Sequence, residues 1–237
     1  MANLRPPSTT GVPPAGLRAW KKERTRTTIA DVATGLFMRD GFEAVTVAQI
    51  AHAAEVSVKT VFNYFPSKED LFYDRADDMI GALAAAVVER PAGTTILDAL
   101  HAVLVERPVP FDAHGWSALR DPEGYERFRR FLETEAGSPA LRTRRLAIGE
   151  LWTVRLTQLV AHQLRLPAGD PRAAAMASMI SAAMTLRAQT LTAALLERLS
   201  ARTVERRVRA VVDEAFTRLA RAYEDIDVPR AIPNGHG

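Results

Sequence analysis

The sequence predicts an all-α protein in two helical parts. Three observations carry that reading. Apolar residues recur at helical spacing through most of the chain, with no sustained Val/Ile/Thr alternation of the kind a strand needs. Helix starts are marked by Ser, Thr and Asp, whose side-chain oxygens accept from the free N–H groups of a first turn. Helix stops fall at Arg90-Pro91, Arg107-Pro108 and Leu166-Pro167, because proline cannot continue a helix it interrupts.

In chain order the pattern predicts nine helices, over 18–39, 47–54, 58–64, 68–89, 95–106, 122–135, 139–165, 171–198 and 202–224, with a short extra one within 108–120 left open. Gly41 follows Arg39-Asp40 where a left-handed C-cap belongs. Thr46 and Gln49 have the spacing of a capping box. Ser57 and Ser67 stand before the next two helices, and Asp70 follows Ser67 at the third position. Asp121-Pro122, Ser138-Pro139 and Asp170-Pro171 each pair an N-cap with proline at the first helical position, where its missing N–H is not needed. Residues 1–16, rich in Pro, Gly and Ser/Thr, are expected to be a disordered arm, and 226–237 a disordered tail.

Composition narrows the function. The chain has 237 residues, 47% of them hydrophobic and 25% charged, the balance of a soluble globular protein. The absence of cysteine excludes disulfides, iron–sulfur clusters, thiolate zinc sites and cysteine nucleophiles. The longest nearly apolar run, Ala173 to Met184, is twelve residues, short of the roughly 20 a membrane span needs. No apolar leader segment stands at the N-terminus. A cytoplasmic protein with no membrane partner is expected. No glycine-rich phosphate loop is present. A Ser/His/Asp triad cannot be placed by spacing, and a pair such as Glu150 with His162 is conceivable only as an isolated acid and base. His101, His114 and His162 are not at ligand spacing with a carboxylate and read as structural. The expectation is no enzyme activity, no cofactor and no metal.

Charge is unevenly placed. Residues 1–26 hold Arg5, Arg18, Lys21, Lys22, Arg24 and Arg26 against Glu23, so a basic segment precedes a body of near-neutral charge. That distribution suits a polyanion, nucleic acid first, or simply a solvated basic tail. The most informative stretch follows, TVAQIAHAAEVSVKTVFNYF at 46–65. Its two short helices meet through Glu55, Val56 and Ser57. Ile50, Ala51 and Ala54 face Val56, Val61 and Phe65, and the small residues permit close approach. This is a helix-turn-helix, whose second helix fits a major groove about 12 Å wide. The outward positions are then Val58, Lys59, Thr60 and Asn63. Lys donates to guanine, Asn pairs with adenine, and Val meets a thymine methyl; the same residues also suit a plain solvated face.

Residues 18–80 resemble the DNA-binding domain of the TetR family of transcriptional regulators. The resemblance rests on the basic start Lys22 to Arg26, on Ala30, Phe37, Gly41-Phe42, Thr46-Val47, Ile50-Ala51 and Ala54-x-Val56-Ser57, and above all on Thr60-Val-Phe-Asn-Tyr-Phe-Pro-Ser-Lys-Glu-Asp-Leu71. It implies an N-terminal three-helix DNA-binding domain over 17–80. It also implies a larger helical effector-binding and dimerisation domain over 81–225. Carried over by position, Thr46, Tyr64 and Lys68 would touch phosphate. Val58, Lys59, Thr60 and Asn63 would face the groove, with Ser57 and Phe62 also among the DNA-binding residues, and Arg24 and Arg26 would reach the backbone or minor groove. The family often has Tyr where Phe62 stands, so a hydroxyl contact is lost there and packing or sugar contact remains. His often stands at Asn63, which makes base preference at that point this chain's own.

In the second part, the small-residue surface 173–184 and a stripe of Val204, Val208, Val211, Val212, Ala215, Phe216, Leu219 and Tyr223 suit either a homodimer contact or burial within one subunit. The family implies the dimer, and with it a palindromic operator on double-stranded DNA. Trp116, Phe128, Phe131, Trp152 and Leu156 are the large residues expected around a small-molecule cavity, with plain core as the alternative reading. Arg142, Arg144 and Arg145 suit an anionic ligand or a solvated basic face. The resemblance implies a repressor released by a small-molecule effector; a ligand-independent or architectural DNA binder is the alternative.

Overall fold

A computed structural model describes residues 16–107 and 116–228, without the side chains of residues 17 and 18. The expected arm at 1–15, the segment 108–115 with His114, and the end of the tail at 229–237 lie outside the described residues. Among those described there are eleven helices. They are α1 (Leu17–Asp40), α2 (Val47–Ala53), α3 (Val58–Tyr64), α4 (Lys68–Phe72), α5 (Ala76–Val88), α6 (Ile96–Glu106), α7 (Trp116–Arg120), α8 (Pro122–Gly137), α9 (Pro139–Gln163), α10 (Pro171–Leu196) and α11 (Ala201–Ala222). The chain divides into two compact units between Phe72 and Tyr73.

The caps form as their chemistry requires. Thr46 and Gln49 close the capping box, Ser57 accepts from Thr60 N, and Ser67 accepts from Asp70 N. The Asp-Pro and Ser-Pro pairs open α8, α9 and α10, with Asp121 accepting from Gly124 N, Ser138 from Leu141 N and Asp170 from Arg172 N. A further capping box, Thr95 with Asp98, starts α6. The open question at 108–120 resolves in part: Trp116–Arg120 is a short helix. Gly41 closes α1 through its N–H to Phe37 O, but with φ 84 and ψ 151 it lies outside the left-handed helical well, in a region open essentially to glycine.

The helix expected over 68–89 is two helices. Leu71 and Phe72 are buried in the first unit, whereas Tyr73 belongs to the second, and the helical path breaks at 73–75 where the chain passes between them. The expected tail has a buried residue near its start. Asp227 is buried, and its two carboxylate oxygens accept from Ile96 N and Leu97 N, each at 2.9 Å. This carboxylate satisfies the orphan donors of the first turn of α6.

The first unit is built on an aromatic cluster. Phe37 and Phe42 have ring centroids 5.0 Å apart, and Phe42 meets Phe72 edge-on at 5.9 Å. Each such pair contributes about 0.5–1.5 kcal/mol beyond its burial. Ile29, Ala33, Ile50, Val61 and Leu71 complete the core.

In the second unit α10 is the central helix, packed on α9 and α11. By length and composition α10 could cross a membrane, although its longest apolar run had argued against a span. Ala173, Met176, Ala177, Ile180 and Leu191 bury one face of it in the unit's core. The stripe on α11 turns inward as well: Val204, Val208, Val212, Phe216 and Leu219 are buried within the chain, and α11 packs on α10 and α6. The chain itself therefore covers much of that stripe, and Val211, Ala215 and Tyr223 remain half-buried. The apolar side chains left exposed in this unit include Leu151 and Val154 on α9 and Met179, Leu186 and Leu196 on α10.

Candidate nucleic-acid interface

The helix-turn-helix is held by its turn. Ala54 N, Glu55 N and Val56 N donate to Ile50 O, His52 O and Ala51 O, which satisfies the last carbonyls of α2. Glu55 takes a positive φ of 55° to do so. Val61 and Phe65 are buried against this frame, and Ile50, Ala51 and Ala54 face them. The sequence places these apolar positions correctly.

The outer face of α3 follows from that burial. Val58, Lys59, Phe62 and Asn63 are exposed, with Val58 at 41% and Phe62 at 48%. Thr60 is half-buried, and its hydroxyl lies 2.7 Å from Ser57 Oγ. Both hydroxyls are thus engaged in the cap, which leaves Lys59 and Asn63 as the exposed polar side chains of this face outside it. Thr46 is similarly occupied: its hydroxyl donates to Gln49 Oε1 and accepts from Gln49 N. Tyr64 sits half-buried at the end of α3.

Lys68 is tied into the unit. Its ammonium donates to Phe42 O at 2.9 Å and Val45 O at 3.2 Å, and lies 4.2 Å from the Phe42 ring centroid. Two of its three N–H groups are spent on the loop between α1 and α2, so any phosphate contact draws on the third. Arg26 is half-buried with its guanidinium 5.0 Å from the Phe65 ring, and Arg24 lies 5.4 Å from Trp20. Trp20 is 42% exposed beside Lys21 and Lys22. Sequence reasoning passed over Trp20, and its signal was an aromatic within a basic run.

Residues 29–74 match the family described as bacterial regulatory proteins, tetR family. The N-terminal unit is a TetR-family DNA-binding domain. The HTH-type transcriptional regulator TcmR of Streptomyces glaucescens is 41% identical over 95 residues, 40% of this chain and 42% of TcmR. LuxR of Vibrio harveyi, also an HTH-type transcriptional regulator, is 43% identical over 58 residues, 22% of this chain and 28% of LuxR. The chain therefore spans less than half the length of these curated relatives. A solved SmeT–triclosan complex is similar in fold, with a TM-score of 0.52 at 18% identity, over 90% of this chain and 99% of that one. The TetR-type domain thus covers the helix-turn-helix, and the all-helical architecture extends beyond it.

The second unit holds a cavity of about 770 Å³ among α5, α8, α9 and α10. Phe128, Phe131 and Trp152 line it as predicted, the two Phe rings nearly parallel with centroids 6.1 Å apart. Trp116 and Leu156 do not line it. Trp116 is buried elsewhere, its Nε1 donating to Val105 O at 2.7 Å, and Leu156 is fully enclosed in the core. Arg142 and Arg145 reach the wall.

Tyr73, Glu135 and Arg187, in the polar part of the wall, carry no signal in the sequence. Tyr73 donates to Glu135, and Arg145 Nε lies 3.4 Å from the same carboxylate. Burial pushes the Glu135 carboxyl up, against the lowering pull of Tyr73 and Arg145, and burial also pushes the Tyr73 phenol up. Arg187, 4% exposed, donates to Leu104 O and Arg107 O at the C-terminal end of α6. Burial lowers its pKa to about 10, which leaves it charged at neutral pH.

Proposed function

We propose that this chain is a homodimeric transcriptional regulator of the cytoplasm. It reads a palindromic operator through α3 and is released as a repressor when a small molecule enters the cavity. The observation that carries the reading is the pairing, in one chain, of a TetR-type DNA-binding unit with a separate unit enclosing a largely apolar cavity of about 770 Å³. A cavity of that size and lining suits a drug-sized ligand. Exposed apolar residues on α9 and α10, Leu151, Val154, Met179 and Leu186 among them, support a contact with a second copy. Two equivalent heads then read two equivalent half-sites.

Release is a population shift. The effector binds the DNA-incompetent arrangement of the dimer more tightly than the competent one, since equal affinity for both would shift nothing. The test uses a lipophilic aromatic fluorophore as a probe of the cavity. It is expected to quench Trp152 and to dissociate a preformed protein–operator complex. Binding of the probe with DNA affinity unchanged would favour the ligand-independent binder. No quench in wild type, or a quench unaltered in Trp152→Phe, would remove the cavity from the account.

A further inference from the structure

The reading face of α3 is not uniformly polar. Among the described residues of the first unit, Trp20, Val58 and Phe62 are the large apolar side chains left in solvent, and two of the three stand on this seven-residue helix. Val58 and Phe62 are four apart, so they lie one above the other on the helix surface. Lys59 and Asn63 form a second row with the same spacing, about 100° around the axis. The apolar row stays 41% and 48% exposed, while Val61, the buried residue of α3, points into the core about 80° around the axis from it. Thr60, the remaining polar candidate, has its hydroxyl engaged with Ser57.

A major groove is lined by hydrogen-bonding edges, and the apolar group its floor offers is the C5-methyl of thymine. Residues four apart on a helix are displaced by about 6 Å along its axis, roughly two base-pair steps of 3.4 Å. We propose that Val58 and Phe62 read the C5-methyl groups of two thymines, about two steps apart, in each half-site. The Lys59–Asn63 row reads the hydrogen-bonding edges beside them. This rests on the reading that α3 enters a major groove. It goes beyond that reading by making the specificity partly hydrophobic and assigning it to Phe62, where a tyrosine hydroxyl would be expected to seek phosphate.

The test removes single methyl groups without touching base pairing. A binding site is first selected from random duplex DNA with the full chain at fixed salt. Each thymine is then replaced in turn by deoxyuridine and affinity is remeasured. Two thymines per half-site should each lose about fourfold on replacement, the transfer value of one buried methyl group. Val58→Ala should abolish the sensitivity at one of them and Phe62→Ala at the other. Tolerance of deoxyuridine at every position of a tightly bound site would overturn the proposal and leave sequence-specific reading intact. Sensitivity that survives in both variants would overturn it too, by assigning the methyl contacts to other residues. If a variant does not fold, the wild-type substitutions still decide. Failure to recover any site would overturn the reading on which the proposal rests.

Discussion

The Tyr73 hydroxyl donates to the Glu135 carboxylate in the cavity wall, and Leu141 O lies 3.1 Å from the same hydroxyl. One phenolic proton faces two acceptors, and a protonated Glu135 would supply the second proton. Burial raises the Glu135 pKa in the folded state. The native state therefore holds this proton more tightly than the unfolded chain does. That contribution is fully present below the ordinary glutamate range and is lost as pH rises through the elevated native value. Glu135→Gln should flatten the fall in stability above about pH 4.3, the unfolded value. Urea unfolding of wild type and variant across that window measures it, and parallel profiles would count against the assignment.

Asp227 fastens the segment after α11 to the start of α6. Replacing it with alanine leaves the Ile96 and Leu97 N–H groups buried without their acceptors. The expected loss is about 1–3 kcal/mol for each donor left unsatisfied. Chemical denaturation checks this, and a variant ending before Asp227 should lose as much. An unchanged midpoint would show that solvent replaces the carboxylate at no cost.

Lys68 separates two roles that a sequence motif cannot. Its hydrogen bonds to Phe42 O and Val45 O make it a brace between α4 and the α1–α2 loop. Lys68→Ala should lower the stability of the first unit by roughly 1.5–3 kcal/mol, the range for hydrogen bonds to a charged group. If its third N–H also reaches phosphate, the salt dependence of DNA affinity should flatten by about one ion. A stable variant with a flattened slope would make phosphate contact its sole role.

Gly124 marks a close approach. A Cβ there would sit 2.1 Å from Ala118 O, a backbone atom that cannot move aside cheaply. Gly124→Ala should therefore destabilise the α7–α8 corner by about 1–3 kcal/mol, as overpacking does. Thermal melting reads it directly, and a neutral result would mean that the corner opens freely.

Much of this structure was legible in the sequence because its helix ends are chemically explicit. Thr46, Ser57, Asp121, Ser138 and Asp170 each announce an N-terminus through a side chain that local geometry alone must satisfy. The face of α3 was legible for the same reason: a short amphipathic helix has one inside. The break at 73–75 was not, since Tyr73-Asp74-Arg75 contains no helix breaker, although the boundary between the two units falls at its start. Burial was ambiguous where an apolar stripe had two possible owners. The α11 stripe could cover a partner or its own chain, and periodicity does not distinguish them. The cavity wall shows the same limit. Phe128, Phe131 and Trp152 line it while Trp116 and Leu156 do not, because size marks a residue as inside without saying what it faces. The Tyr73–Glu135 pair, 62 positions apart in sequence, leaves no local signal.

The central claim is that this chain reads a specific duplex sequence as a symmetric dimer. Selection of binding sites from random duplex DNA, with the full chain at one stated salt concentration, tests it most directly. The account predicts enrichment of an inverted repeat whose half-sites contain thymines beside a base pair read by Lys59 or Asn63. Recovery of no common motif, with binding that simply fades as salt rises, would contradict it.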